Sequence, residues 1–181
     1  MTCIVGYVYN GIVYMGSDSQ VTENGRIDYI EQKVFFNVHN NEFLIGFCGD
    51  LRYSELLRYY FVPPQNEFDW DIDRYICTDF CSGMRKCLVD NGYSNPNNKV
   101  DGGCSLIGYK GRLYQISCDH GAFHSSRKYN SIGSGCEFAL GAMSILDTLP
   151  ISSYEKVSRS LESAIEGNFG CGGNITILQS C

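Results

Sequence analysis

Four residues in the first third of the chain carry types that could work together chemically: Thr2, Asp18, Lys33 and Gly49. Once Met1 is removed, Thr2 carries both a hydroxyl and a free α-amine. That amine has a reference pKa of roughly 7.7–8.0. A lysine ammonium beside it lowers the value further and keeps the amine neutral, fit to accept the hydroxyl proton. Asp18 would balance the Lys33 charge and hold it in place. A glycine N–H at residue 49 suits an oxyanion, because no side chain obstructs the approach of substrate. Nucleophile and base then belong to a single residue.

Two hairpins must bring these residues together. Residues 3–9 and 12–18 flank Asn10-Gly11, a strong two-residue turn signal. With that loop, Tyr9 faces Ile12 and Asp18 falls opposite Cys3, next to Thr2. Residues 33–38 and 42–48 read as a second extended pair around Asn40-Asn41. The same reasoning sets Lys33 opposite Cys48, beside Gly49. If the two hairpins lie side by side in one sheet, all four candidates meet at one rim.

The remaining elements follow from periodicity and punctuation. Asp50 can cap a helix through Leu56-Leu57 that stops at Pro63-Pro64. A second helix spans about 71–90, with Ile72, Ile76, Phe80, Met84 and Leu88 at a constant spacing of four. Asn91 to Gly103 reads as a loop. Strands follow at 104–109 and 112–118, joined at Lys110-Gly111. Ser134 with Glu137, and Ser152 with Glu155, are capping-box patterns that start two further helices. The second of these carries Val157, Leu161 and Ile165. Gly170 to Gly173 breaks it, and Asn174 to Leu178 is a last strand. Runs of strands followed by runs of helices indicate an α+β layered fold. Without a linker, repeat or low-complexity segment, residues 1–181 are expected to form one domain.

Composition narrows the function classes. With 20 acidic and 14 basic residues the chain has a net charge of -6 and no basic cluster, which argues against nucleic acid as a partner. No apolar run reaches membrane-spanning length, and the N-terminus lacks a cationic lead-in and an apolar stretch, so a cytoplasmic protein is expected. Ten cysteines suggest a disulfide framework, but the chain has enough apolar residues for a core without staples. Small buried filler is the expected role of most of these thiols. No Cys-x2-Cys pair exists, and His39, His120 and His124 complete no ligand set, so no metal is expected.

The chain resembles the proteasome β-type and HslV group of N-terminal-nucleophile hydrolases. The matching segments are Thr2-Cys-Ile-Val-Gly, Gly16-Ser-Asp18-Ser, Lys33-Val34, Ile45-Gly-Phe-Cys-Gly49, Ile132-Gly-Ser-Gly135 and Cys171-Gly-Gly-Asn-Ile-Thr176. They occur in the family's order over nearly the whole chain. Leu56-Leu-Arg-Tyr followed by Pro63-Pro64 is similar to small bacterial proteasome-like proteins.

The resemblance implies a four-layer αββα sandwich, two antiparallel sheets enclosed by helices. It implies Thr2 as nucleophile, Asp18 and Lys33 as its charge partners, Gly49 as oxyanion donor, and Ser134 as neighbour of the threonine amine. Val21, Phe47 and Leu51 fall where the family lines its specificity pocket, which implies an apolar side chain before the cut. No cofactor is implied. The implied partners are a peptide or unfolded-protein substrate, further copies in a homo-oligomeric ring, and an AAA+ ATPase unfoldase.

Two positions depart from the proteasome pattern: Asn168 replaces an aspartate, with Cys171-Gly172 after it, and Cys3 follows the nucleophile where threonine is common. Three readings result. The leading one is a threonine peptidase exposed by methionine aminopeptidase, for which threonine is small enough. The others are an amidase with the same machinery acting on a small amide, and a ring subunit without activity.

Overall fold

A computed structural model describes residues 1–23, 26–29, 32–66, 71–94 and 103–180. Residues 95–102 of the expected loop after Asn91 lie outside the described residues.

The chain opens with β1 (Ile4–Tyr9) and β2 (Ile12–Ser17), joined at Asn10-Gly11 with φ of 50° and 77°. Positive φ at both turn residues is the type I′ geometry that matches strand twist. The register is the expected one, with Tyr9 opposite Ile12 and Ile4 opposite Ser17. A hairpin the sequence did not disclose follows, β3 (Gln20–Glu23) with β4 (Arg26–Tyr29). Then come β5 (Val34–Phe36) and β6 (Leu44–Cys48).

The β5–β6 register is shifted by one residue from expectation. Phe35 faces Ile45, and the Phe47 N–H donates to the Lys33 carbonyl at 3.2 Å, so Lys33 faces Phe47 rather than Cys48. The cause is the side chain of Asn37. Its Oδ1 accepts from the N–H groups of His39 and Asn40, both at 2.9 Å. The loop therefore folds around Asn37 and is longer than a two-residue turn.

Next are α1 (Leu51–Glu55), continuing into a π-helical turn (Leu56–Tyr60), and then α2 (Ile72–Tyr75), a second π turn (Ile76–Phe80) and α3 (Cys81–Asp90) in one run. The spacing of four explains the π turn. Residues four apart drift around a helix of 3.6 residues per turn, and wider winding brings Ile76, Phe80, Met84 and Leu88 back to one buried face. The chain continues through β7 (Cys104–Tyr109), β8 (Arg112–Ile116), β9 (Ala122–His124), β10 (Tyr129–Ile132), α4 (Cys136–Leu146), α5 (Ser153–Gly167) and β11 (Thr176–Gln179). Ser152 caps α5 as its pattern predicts, accepting from the Glu155 N–H at 3.1 Å. Ser134 does not cap α4. Gly135 holds that position, and the serine hydroxyl is engaged elsewhere.

The two early hairpins do not share a sheet. One antiparallel sheet has the order β10-β1-β2-β11, and the other β5-β6-β7-β8-β9. Alternation along the strands shows why. In β1, Ile4 faces a core of Val13, Met15, Val34, Leu44, Leu106 and Leu113 between the sheets, while Val5 and Tyr7 face α4 and α5. In β6, Leu44 faces the inter-sheet core, and Ile45 and Phe47 face the aromatic layer of α1–α3. Both hairpins have two apolar faces, so each must be covered on both sides. Stacked sheets between helical layers meet that demand, and the fold is the αββα sandwich.

Candidate active site

The site lies where the open ends of the two hairpins meet across the sheets. Asp18 stands just past the end of β2 and is 1% exposed. Its carboxylate is fully occupied. Oδ1 accepts from Lys33 Nζ and from the Cys3 N–H, both at 2.9 Å. Oδ2 accepts from the N–H groups of Gly172 at 3.1 Å and Gln20 at 3.2 Å. One side chain thus ties the chain start, the β2–β3 corner and the segment before β11 to the lysine.

Lys33 sits one residue before β5 and is also 1% exposed. An ammonium has three protons to place. One goes to Asp18 Oδ1, one to the Gln20 carbonyl, and the last to the Met1 carbonyl at 3.5 Å. Burial lowers the Lys33 pKa, and the adjacent Asp18 charge opposes that shift. The Thr2 hydroxyl donates to the same Met1 carbonyl at 2.6 Å. Lysine and threonine therefore converge on one atom.

Ser134 closes the other side. Its Oγ accepts from the Thr2 N–H at 3.2 Å and donates to the Thr2 carbonyl at 3.4 Å. Gly133, at φ 95°, lets the chain pass under Thr2, and a Cβ there would overlap the Thr2 carbonyl oxygen. Asn168 acts from behind: its Nδ2 donates to the Ser134 carbonyl at 2.7 Å, and its Oδ1 accepts from the Gly170 N–H at 2.9 Å. A carboxylate at 168 has no proton to give that carbonyl, so the departure from aspartate fits its surroundings. The Met1 side chain lies against Gly170.

Thr2, Gly49 and Ser134 line an open cleft of about 630 Å³, together with Met1 and Gly133. Cys48 adjoins Gly49, and the far wall is Gly103, Cys104, Gln115, Ser117 and Cys118, which the sequence reading did not place there. Val21, Phe47 and Leu51 do not line this cleft. Phe47 is 3% exposed in the aromatic layer, its ring centroid 6.4 Å from that of Phe35, because the alternation of β6 turns it toward the helices. Leu51 is exposed as the first residue of α1, and Val21 is half-buried in the β3–β4 hairpin. Cys3 is fully buried, and desolvation pushes its thiol up to about 12, which leaves it unreactive near neutral pH. Among the described residues, no group of three His, Cys, Asp or Glu side chains is arranged to hold a metal ion. No helix among them is long and apolar enough to cross a membrane.

A family model described as "Proteasome subunit" matches residues 1–178. The chain belongs to the proteasome subunit family. Similar solved structures agree in fold. The BPH protein of Thiobacillus denitrificans superposes with a TM-score of 0.80 at 20% identity, covering 98% of this chain and 97% of that one. The same protein has been solved in complex with epoxomicin. HslV from Trypanosoma brucei gives a TM-score of 0.69 at 16% identity, covering 98% of each chain. Anbu from Yersinia bercovieri gives 0.69 at 15% identity, covering 98% of this chain and 81% of that one. No curated protein sequence matches. Membership in the proteasome family supports a hydrolase of the N-terminal-nucleophile type.

Proposed function

We propose that this proteasome-family chain is a threonine peptidase once Met1 is removed. The observation that carries the reading is the Met1 carbonyl oxygen, on which Thr2 Oγ1 and Lys33 Nζ converge at 2.6 and 3.5 Å. Removing Met1 frees one lysine N–H and the threonine hydroxyl at the same spot. It also turns the Thr2 N–H, now bonded to Ser134 Oγ, into an amine with a lone pair.

The steps follow from the groups present. The neutral amine accepts the hydroxyl proton as Oγ1 attacks a peptide carbonyl carbon. Lys33 keeps the amine pKa low, and Asp18 keeps Lys33 oriented. The Gly49 N–H, at the cleft edge, is the donor for the oxyanion. The ammonium form of Thr2 returns a proton to the leaving amine. Water then attacks the ester, and the hydroxyl is regenerated. Every proton moves between substrate, water and Thr2.

The substrate class is an extended peptide or unfolded protein, which the open cleft suits. The working form is a homo-oligomeric ring, with an AAA+ ATPase unfoldase as its natural partner class. Mature protein should be labelled at Thr2 by a peptide epoxyketone and should lose both labelling and peptide hydrolysis in Thr2→Ala. Full turnover in Thr2→Ala would contradict the reading.

A ring subunit without activity is the second reading. It applies where Met1 stays attached, because the Met1 carbonyl then holds the Thr2 hydroxyl while the Met1 side chain rests on Gly170. Intact mass decides: a protein that keeps Met1 when produced with an active methionine aminopeptidase supports the inert subunit.

A further inference from the structure

Two thiols stand opposite each other in the lining of the cleft. Cys48 ends β6, Cys104 begins β7, and they are register partners. Their sulfurs are 2.8 Å apart. Directly opposed residues on antiparallel strands have Cα atoms about 4.5–5.5 Å apart, inside the range of about 4.4–6.8 Å that a disulfide spans. Both residues are half-buried and both line the cleft, so a small solute can reach them. Cys3, Cys81 and Cys171, in contrast, are buried.

The pair is also polarised. The hydrogen bond between the two sulfurs lowers the pKa of Cys104 and raises that of Cys48. Cys104 is thereby the better thiolate, and Cys48 is placed to follow it.

We propose that Cys48 and Cys104 form a thiol–disulfide modification site in the cleft, oxidised by a low-molecular-weight disulfide of the glutathione type. The Cys104 thiolate attacks one sulfur of the small disulfide, making a mixed disulfide and releasing one thiolate. Cys48 then loses its proton and attacks the Cys104 sulfur, which releases the second small thiol. Two electrons pass from the two protein thiols to the small disulfide, which leaves as two thiols. The new bond crosses from β6 to β7 directly beside Gly49. This site stands whether or not Thr2 is a nucleophile, since no step uses residue 2.

The test is thiol mapping of the full chain. Reduced protein is exposed to graded oxidised glutathione, quenched with an alkylating agent and mapped as peptides. Cys48 and Cys104 should vanish from the alkylated pool together and reappear as one cross-linked peptide, restored by dithiothreitol. In Cys48→Ala, the attack should stop at the first step and accumulate at least tenfold more glutathione on Cys104 than in wild type. If that variant fails to fold, the wild-type map decides alone. A lasting glutathione adduct on wild-type Cys104, a link from either thiol to Cys118 or Cys136, or full alkylation of both thiols after treatment would overturn the proposal.

Discussion

Lys33 spends all three of its protons on oxygen, and the Met1 carbonyl is its most distant acceptor. That leaves one N–H ready to turn to Thr2 at no cost to the other two bonds. The pair with Asp18 is buried, so removing one partner strands the other charge. Lys33→Met should cost about 3–5 kcal/mol in urea unfolding and abolish epoxyketone labelling. Asn168 makes a subtler demand, since only an amide can both donate to Ser134 and accept from Gly170. Asn168→Asp should slow labelling about tenfold, equivalent to roughly 1.4 kcal/mol, with little loss of stability, because the side chain is only half-buried. Unchanged labelling would remove Asn168 from the positioning of Ser134. Cys3 gives a pH signature. Its folded pKa is raised from 9.0 to about 12, so between those values the unfolded chain releases a proton that the folded chain keeps. Stability should therefore fall as pH rises from 9 toward 12. Cys3→Ala should flatten that slope by up to roughly 1.4 kcal/mol per pH unit, measured by urea unfolding in reducing buffer.

At the scale of elements, the sequence was most legible where local chemistry alone decides structure. Asn10-Gly11 set the β1–β2 register, and with it the position of Asp18 beside the chain start. Ser152 and Glu155 marked the start of α5. Legibility failed where a side chain bonds outside its own element. Asn37 looked like a strand residue, yet its Nδ2 donates to the carbonyls of Leu57 and Phe61, both at 2.9 Å, and its Oδ1 shapes the loop. No local pattern discloses that, and the register slipped by one. Ser134 failed likewise, because a capping pattern looks the same when the hydroxyl is drawn to Thr2. These cases separate in mutants. Asn37→Ala leaves buried carbonyls unpaired at about 1–3 kcal/mol each and should lose at least ~3 kcal/mol. Ser152→Ala removes one cap and should lose about 1 kcal/mol with labelling unchanged. A similar loss in both would mean that Asn37 does not organise the loop.

The whole molecule places its site at the seam between two sheets, and that arrangement was only half visible beforehand. Alternation told which residues of each hairpin are apolar but not that the hairpins stack rather than adjoin. The stacking lets Lys33 cross from one sheet to a threonine at the edge of the other. The far wall of the cleft, with Gln115, Ser117 and Cys118, comes from β8 and the segment after it, too distant in sequence for hairpin reasoning to reach. The outer surface carries exposed Tyr59, Tyr60 and Val62 beside one another, and Ile145, Tyr154 and Phe169 elsewhere. Exposed apolar side chains on this scale suit contact with further copies. Sedimentation should give a closed assembly whose mass is a multiple of the 20.3 kDa chain, and a monomer at micromolar concentration would contradict the ring. The most direct test of the central claim is peptide mapping after epoxyketone treatment of mature protein. A single adduct is expected on an N-terminal Thr2 that lacks Met1, absent when Lys33 is replaced by methionine. An unmodified Thr2 in protein shown to have lost Met1 would contradict the claim.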